Sequence, residues 1–485
     1  MRGAGGALSR RRFVGMAAGA AAAAAGGLPL LASCGDSQEP GDPGARSPLA
    51  RAPELPVSGA VLAAAPGSAA IAEGQSAAAW LYNGVLPGPT LRARRGGTAT
   101  IQLRNRLADS TIVHWHGLLV PAHADGHPRD AIGPGADYGY EFPIVQRAGT
   151  FWYHPHAHQR TAEQVHRGLA GFFIVTDEEE EALDLPTGPD EILLMLQDRD
   201  ADPAAAYAYA PGDADSMDGM LRGTPYGNGT RLPALAVGGR RYRFRVLNAS
   251  HARVYRLALD TGAPLTLIGN DGGLLPAPVP VSAVDLGVGE RIDFVVDLAG
   301  VPAGRRLMLK SLPFSVPGSA GQWPQGMEMD LLELVRVGGA GAPPPSLPGV
   351  LSTVPPLGAP AAERTFEFQS TADAGMHRIN GLSFDMERVD VEVPFGQVER
   401  WSFRNDSALP HPVHLHGTHF QVAARQGGRG MVLPWEAGWK DTVLVMPQET
   451  VDVLVRFDAY RGLFLLHCHN LQHEDMGMML NVDVR

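Results

Sequence analysis

Three stretches of the chain, 98–105, 241–250 and 397–405, alternate apolar and polar residues. A period of two is the signature of a half-buried strand. Each stretch carries an Asn at or near its end (Asn105, Asn248 and Asn405), which suits the turn that must follow. Each is followed by a second related segment, at 135–142, 289–297 and 448–457. Three internal repeats built from short strands predict an all-β chain of three β-sandwich domains, over 56–180, 185–338 and 360–485. The acidic run 177–181 and the Gly/Pro stretch 338–348 read as solvated joints between them. No long helix is expected, and short helices belong in loops.

Composition supports this reading. A length of 485 residues suits about three domains, and 59 Gly with 40 Pro favour turns and short strands. The formal charge of -11 gives no basic face for nucleic acid. There are two cysteines, Cys34 and Cys468, which excludes a disulfide framework, an all-cysteine zinc site and an iron–sulfur cluster. The first 33 residues hold Arg2, Arg10, Arg11 and Arg12 and no acid. The text of 9–14 resembles a twin-arginine export signal, and Leu31-Ala32-Ser33-Cys34 resembles a lipobox. The Ala-rich stretch 16–27 is too short and too weakly apolar to be a good membrane span. Residues 1–33 are therefore expected to be a signal peptide, with Cys34 carrying a lipid that is the only membrane attachment. Residues 34–55, rich in proline, read as a flexible linker. The protein is then periplasmic or on the cell surface, and Gly35 after Cys34 favours outer-membrane sorting where an outer membrane exists.

The histidines change the picture most. Ten of the 17 fall in four short clusters: His114 and His116; His154 and His156; His411, His414 and His416; and His467, His469 and His473. Residues two apart on a strand share a face, so each His-x-His pair offers two imidazoles on one side. Imidazole suits copper, zinc, iron or nickel. Cys468, between His467 and His469, points to the opposite face, where it can join His411 and His473. Cys with two His is the ligand set of a blue-copper site, and Met478 is placed to be its weak axial ligand. A zinc hydrolase needs three or four ligands and leaves most of this set without a role.

These clusters, with the flanking text 82–90, 168–171, 438–442 and 473–479, resemble the four copper-binding motifs of multicopper oxidases. The likeness spans nearly all of 80–485 and is nearest the three-domain bacterial laccase and copper-efflux-oxidase branch. It implies three cupredoxin-like Greek-key domains, the middle one without copper, and four copper ions. A type 1 copper would take His411, Cys468 and His473, with Met478 axial. A type 2 copper would take His114 and His414. Two type 3 coppers would take His116, His154, His156, His416, His467 and His469. Glu474 and Asp125 match the family's proton-relay acids. The remaining histidines (His123, His127, His158, His166, His251, His377 and His419) read as surface or structural, although His158 extends the second motif and is a candidate to sit behind the ligands.

The implied activity is single-electron oxidation of a small reductant coupled to reduction of dioxygen to water by a monomeric enzyme. No dense methionine run lies between Pro345 and His411, and Met327, Met329, Met376 and Met386 are scattered. This favours a laccase-like oxidase of phenols or aromatic amines over a cuprous oxidase, which stays as the second reading. A non-enzymatic copper store, or a scaffold relative of the kind found among exported cell-division proteins, is the rival of another class. A scaffold is expected to have lost copper ligands.

Overall fold

In the computed structural model, residues 46–316, 325–339, 341, 344–371 and 377–485 are described. Each alternating stretch forms a strand, at Thr98–Asn105, Arg241–Asn248 and Glu399–Asn405. The Asn that ends each is fully buried and does the same work three times. Asn105 Nδ2 donates to Asp109 O and Ile132 O, Asn248 Nδ2 to Arg253 O and Leu286 O, and Asn405 Nδ2 to Leu409 O and Val445 O. In each, Oδ1 accepts the N–H two residues on, from Leu107, Ser250 and Ser407. A buried amide with both ends satisfied fixes the turn after the strand.

The strands form three pairs of sheets, over 54–176, 191–336 and 362–484. The first pair has five and four strands, the second seven and five, and the third five and five. Their cores are separate. Leu62, Leu103, Trp115 and Phe173 pack in the first, Leu194, Phe244, Leu257 and Leu331 in the second, and Phe368, Trp401, Val453 and Phe464 in the third. Among the described residues four short α-helices lie in loops: α1 Thr161–His166, α2 Glu178–Glu181, α3 Asp213–Asp218 and α4 Leu471–Asp475. No described helix is long and apolar enough to cross a membrane. The export signal, the lipobox and Cys34 lie outside the described residues.

Two segments differ from the sequence expectation. Residues 46–55 of the expected linker are tied down. Leu49 is buried and its N–H donates to Ala234 O (2.8 Å), Arg46 pairs with Asp330 (3.1 Å), and Glu54–Pro56 adds a parallel edge strand beside Gly88–Arg94. The prolines that read as linker also suit a sheet edge, where a missing N–H costs little. The acidic run, expected to be a solvated joint, is helix α2, capped by Asp177 through Glu180 N (2.9 Å). Glu178, Glu179 and Glu181 face solvent while Glu180 turns inward, 2.8 Å from both Arg243 and Arg245. Arg243 also pairs with Asp293, and Arg245 with Glu191. Burial pushes the Glu180 carboxyl up, but Arg245 and Arg243 outweigh it and bring it down to about 2.

Removing one member of a buried charge network strands the others. Glu180→Ala is expected to lower stability to denaturant by about 3 kcal/mol, whereas Glu178→Ala, on the exposed face of the same turn, is expected to leave it unchanged. Equal effects would contradict the docking of α2.

Candidate metal centre

Register places the histidines. In the first sandwich Val113–His116 pairs antiparallel with Gly149–Pro155, setting His114 opposite His154. In the third, His411–Leu415 pairs antiparallel with Gly462–Cys468, setting His414 opposite His467 and Val413 opposite Cys468. Residues 411 and 413 share a face, so His411 lies on the side of Cys468, and His414 and His416 lie on the other. Asn470 caps α4, its side chain accepting from Gln472 N, and the short helix swings His473 back toward Cys468. His411 Nδ1 is 3.4 Å and His473 Nδ1 3.7 Å from Cys468 Sγ, and Asn470 N donates to the same sulfur (3.5 Å). Met478 is fully buried in the same core, and its carbonyl accepts from Cys468 N.

The eight imidazoles of the opposite faces converge between the first and third sandwiches. His114 Nε2 is 3.2 Å from His414 Nε2, and His416 Nε2 is 3.1 Å from His467 Nε2. The His469 ring lies 4.9 Å from that of His116 and 5.2 Å from that of His154. Ligand atoms of His156, His416 and His467 fall within 4.8 Å of one another, as do those of His114, His116 and His154, and those of His411, Cys468 and His473. The middle sandwich closes over the rings with Gly289 (φ +81°), where a Cβ would sit 3.0 Å from His116 and 3.1 Å from His469.

The hydrogen bonds show which nitrogens remain free. Nδ1 is held by an oxygen in His114 (Asp125 O, 2.8 Å), His154 (Pro155 O, 2.9 Å), His414 (Asp441 O, 2.9 Å), His416 (Asp125 Oδ2, 2.7 Å) and His467 (Cys468 O, 3.1 Å). Among the eight converging rings, the buried nitrogens with no hydrogen-bond partner are His116 Nδ1, His154 Nε2 and both of His156 and His469. Polar atoms buried this way are costly unless something binds them, and converging neutral imidazoles with a buried thiol are a donor set for copper. Burial drives His116, His154, His416, His469 and His473 toward their neutral forms. It lowers His156, His411 and His414 to about 3 and pushes the Cys468 thiol up.

Both sequence-read acids reach the rings. Asp125 bonds His416, and its Oδ1 is 3.5 Å from His114 Nδ1. Glu474 lies 3.5 Å from His156 Nε2 and 3.3 Å from His467 Nδ1, with neither oxygen in hydrogen-bond alignment. Of the other histidines, His123 and His158 are exposed, and His127, His166, His251 and His377 are buried. His377 was given no role beyond structure, yet it stacks on His473 at 3.9 Å. The sequence reading also missed Ser407 on His411 Nε2, the Met217 carbonyl on His473 Nε2, and the pair Arg291–Asp441 beside His116. For Asp441 the signal was its place in the flanking text 438–442. Arg291 sits in the repeat without a histidine cluster and gave none.

A family model described as multicopper oxidase matches residues 64–180, and a second of the same description matches 358–485. A laccase of Bacillus stratosphericus is 32% identical over 464 residues, 84% of this chain and 90% of its own. Cell division protein FtsP of Escherichia coli (strain K12) is 34% identical over 463 residues, 93% of this chain and 92% of its own. Among solved structures, the McoA multicopper oxidase from the hyperthermophile Aquifex aeolicus matches with a TM-score of 0.82 at 32% identity, over 91% of this chain and 100% of that one.

The depressed histidines make a pH prediction for metal-free protein. Below about 6.5 the unfolded chain takes up protons that folded His156, His411 and His414 refuse until about 3. Folding stability is therefore lost as pH falls through that window. Denaturant midpoints of metal-free protein should drop steeply from pH 7 to pH 5. A flat profile would mean that these rings are solvated.

Proposed function

Because this chain belongs to the multicopper oxidase family, an oxidoreductase fold of cupredoxin-like sandwiches, we propose that it takes electrons singly from a small reductant and reduces dioxygen to water. His411, Cys468, His473 and Met478 would hold the type 1 copper. His114 and His414 would hold the type 2 copper, and His116, His154, His156, His416, His467 and His469 the two type 3 coppers. Four coppers, when bound, supply one-electron acceptance at the first site and the four electrons that dioxygen needs at the other three.

The observation that carries this reading is Cys468. Its side chain meets His411 and His473, while its main chain is bonded to His467 and His469 on the opposite face. Two buried sites are thereby joined by short covalent routes. Asp125 holds the Nδ1 of His416 and, through its carbonyl, that of His114, so one residue orients a ring from each sandwich. Asp125 and Glu474 are two buried carboxylates beside the rings, and they would carry protons inward. One chain holds every ligand, so a monomer suffices. Export by the twin-arginine route and a lipid on Cys34, at the periplasm or cell surface, belong to the same proposal and are supported by the text of residues 9–14 and 31–34.

The preferred reductants are phenols or aromatic amines, in line with the laccase relative and with the scattered methionines. Cu(I) is the second candidate. The FtsP likeness supports a scaffold reading, but a complete set of buried imidazoles with free lone pairs has no use in a scaffold.

Copper-loaded protein should consume oxygen with a phenol, and a comparison with Cu(I) and a manganese salt under one set of conditions ranks the substrates. Glu474→Ala and Asp125→Ala should each slow oxygen uptake at least tenfold while the blue absorption of the Cys468 site persists. Loss of the blue colour would make these acids structural. Full copper loading with no oxygen uptake on any reductant would favour the store or scaffold.

A further inference from the structure

The sandwich without ligands reaches into the histidine site through one side chain. Arg291 is fully buried and uses all five of its N–H donors. Nε donates to Thr150 O (2.8 Å), in the first sandwich. Nη1 donates to Gly289 O (3.0 Å) and Asp441 Oδ1 (2.7 Å), and Nη2 to Asp271 O (3.0 Å) and Asp441 Oδ2 (2.5 Å). Gly289 and Asp271 belong to the second sandwich and Asp441 to the third, so a single guanidinium joins all three. Lys440, next to Asp441, is pinned to the same domain by Asp271 (2.8 Å) and Glu290 (3.2 Å).

This clamp meets His116 in an orientation unlike that of its neighbours. His114, His154, His414, His416 and His467 are held at Nδ1, whereas His116 is held at Nε2, by Asp441 Oδ1 (3.1 Å) and Thr442 Oγ1 (3.0 Å). Its Nδ1 is buried without a partner among the other rings. The hydrogen bond made by one ring nitrogen decides which tautomer the imidazole adopts. The next residue, Gly117 (φ +83°), has no side chain to interfere. A Cβ there would lie 2.4 Å from Asp441 Oδ2 and 2.6 Å from Arg291 Nη2.

We propose that Arg291 is a positioning residue for the histidine-bound copper, acting through Asp441 to fix His116 with its proton on Nε2 and its Nδ1 lone pair toward the neighbouring rings. Both oxygens of Asp441 face the two arms of Arg291, and Oδ1 also accepts from His116. A planar fork is needed to hold a carboxylate this way, which a lysine cannot supply. The proposal rests on the copper assignment given above and adds the middle domain to the machinery that loads it.

Asp441→Asn separates positioning from simple riveting of the domains. The amide keeps the shape; with its oxygen in the place of Oδ1 it still accepts from His116 and from one arm of Arg291, but its NH2 opposes the other arm, so the two-pronged grip that sets the carboxylate is broken. Arg291→Lys and Arg291→Met are the companions. Copper per chain, the blue absorption of the Cys468 site and the denaturant midpoint of metal-free protein are read together. The expected result for Asp441→Asn and Arg291→Lys is a loss of at least half the bound copper with the blue absorption retained, while Glu180→Ala, which breaks a buried ion network away from the rings and lowers the midpoint in the same way, keeps its copper. Full copper loading by Asp441→Asn, or losses in Arg291→Met that follow stability alone, would overturn the proposal. Failure of the unaltered protein to load copper beyond the Cys468 site would instead overturn the copper assignment on which it rests.

Discussion

A neutral imidazole nitrogen buried without a partner is costly, and this protein buries several within reach of one another. That constraint organises the rest of the structure. Strand register puts the rings in pairs, and two sandwich faces bring the pairs together. Oxygens behind the rings hold five of them by Nδ1, so that their other nitrogen turns inward. The free energy stored in unsatisfied nitrogens is what a bound metal would relieve. It also means that the architecture around the site must be rigid enough to hold the rings face to face.

That rigidity comes from buried charge as much as from apolar packing. Glu180 joins the first sandwich to the second through Arg243 and Arg245, and Arg291 joins all three. Buried ion networks are poor sources of net stability but strong constraints on geometry when every donor is matched. Arg291 meets that condition with five donors and five acceptors. The middle repeat carries no His-x-His pair, yet it has the strand-ending Asn248 and supplies the groups that hold its neighbours in register.

Much of this was legible in the sequence because it is local and periodic. Period-two alternation located the strands, and the repeated Asn marked their ends. His-x-His spacing gave the faces, and the position of Cys468 between two histidines separated one site from another. The rest depended on partners distant in sequence. Nothing in a run of four glutamates says that the third turns inward, since the arginines that receive Glu180 are more than sixty residues away. Residues 46–55 looked like linker because proline suits both linkers and sheet edges. Arg291 carried no mark of its role, because its partners come from three domains and none lies in a motif that names it.

The central claim is that the converging rings form one multinuclear copper site, distinct from the site at Cys468. Anomalous diffraction from copper-loaded crystals, recorded on both sides of the copper absorption edge, tests it most directly. The account predicts one peak beside Cys468 Sγ and a separate close group of peaks enclosed by His114, His116, His154, His156, His414, His416, His467 and His469. Copper beside Cys468 alone, with the eight rings empty, would contradict it.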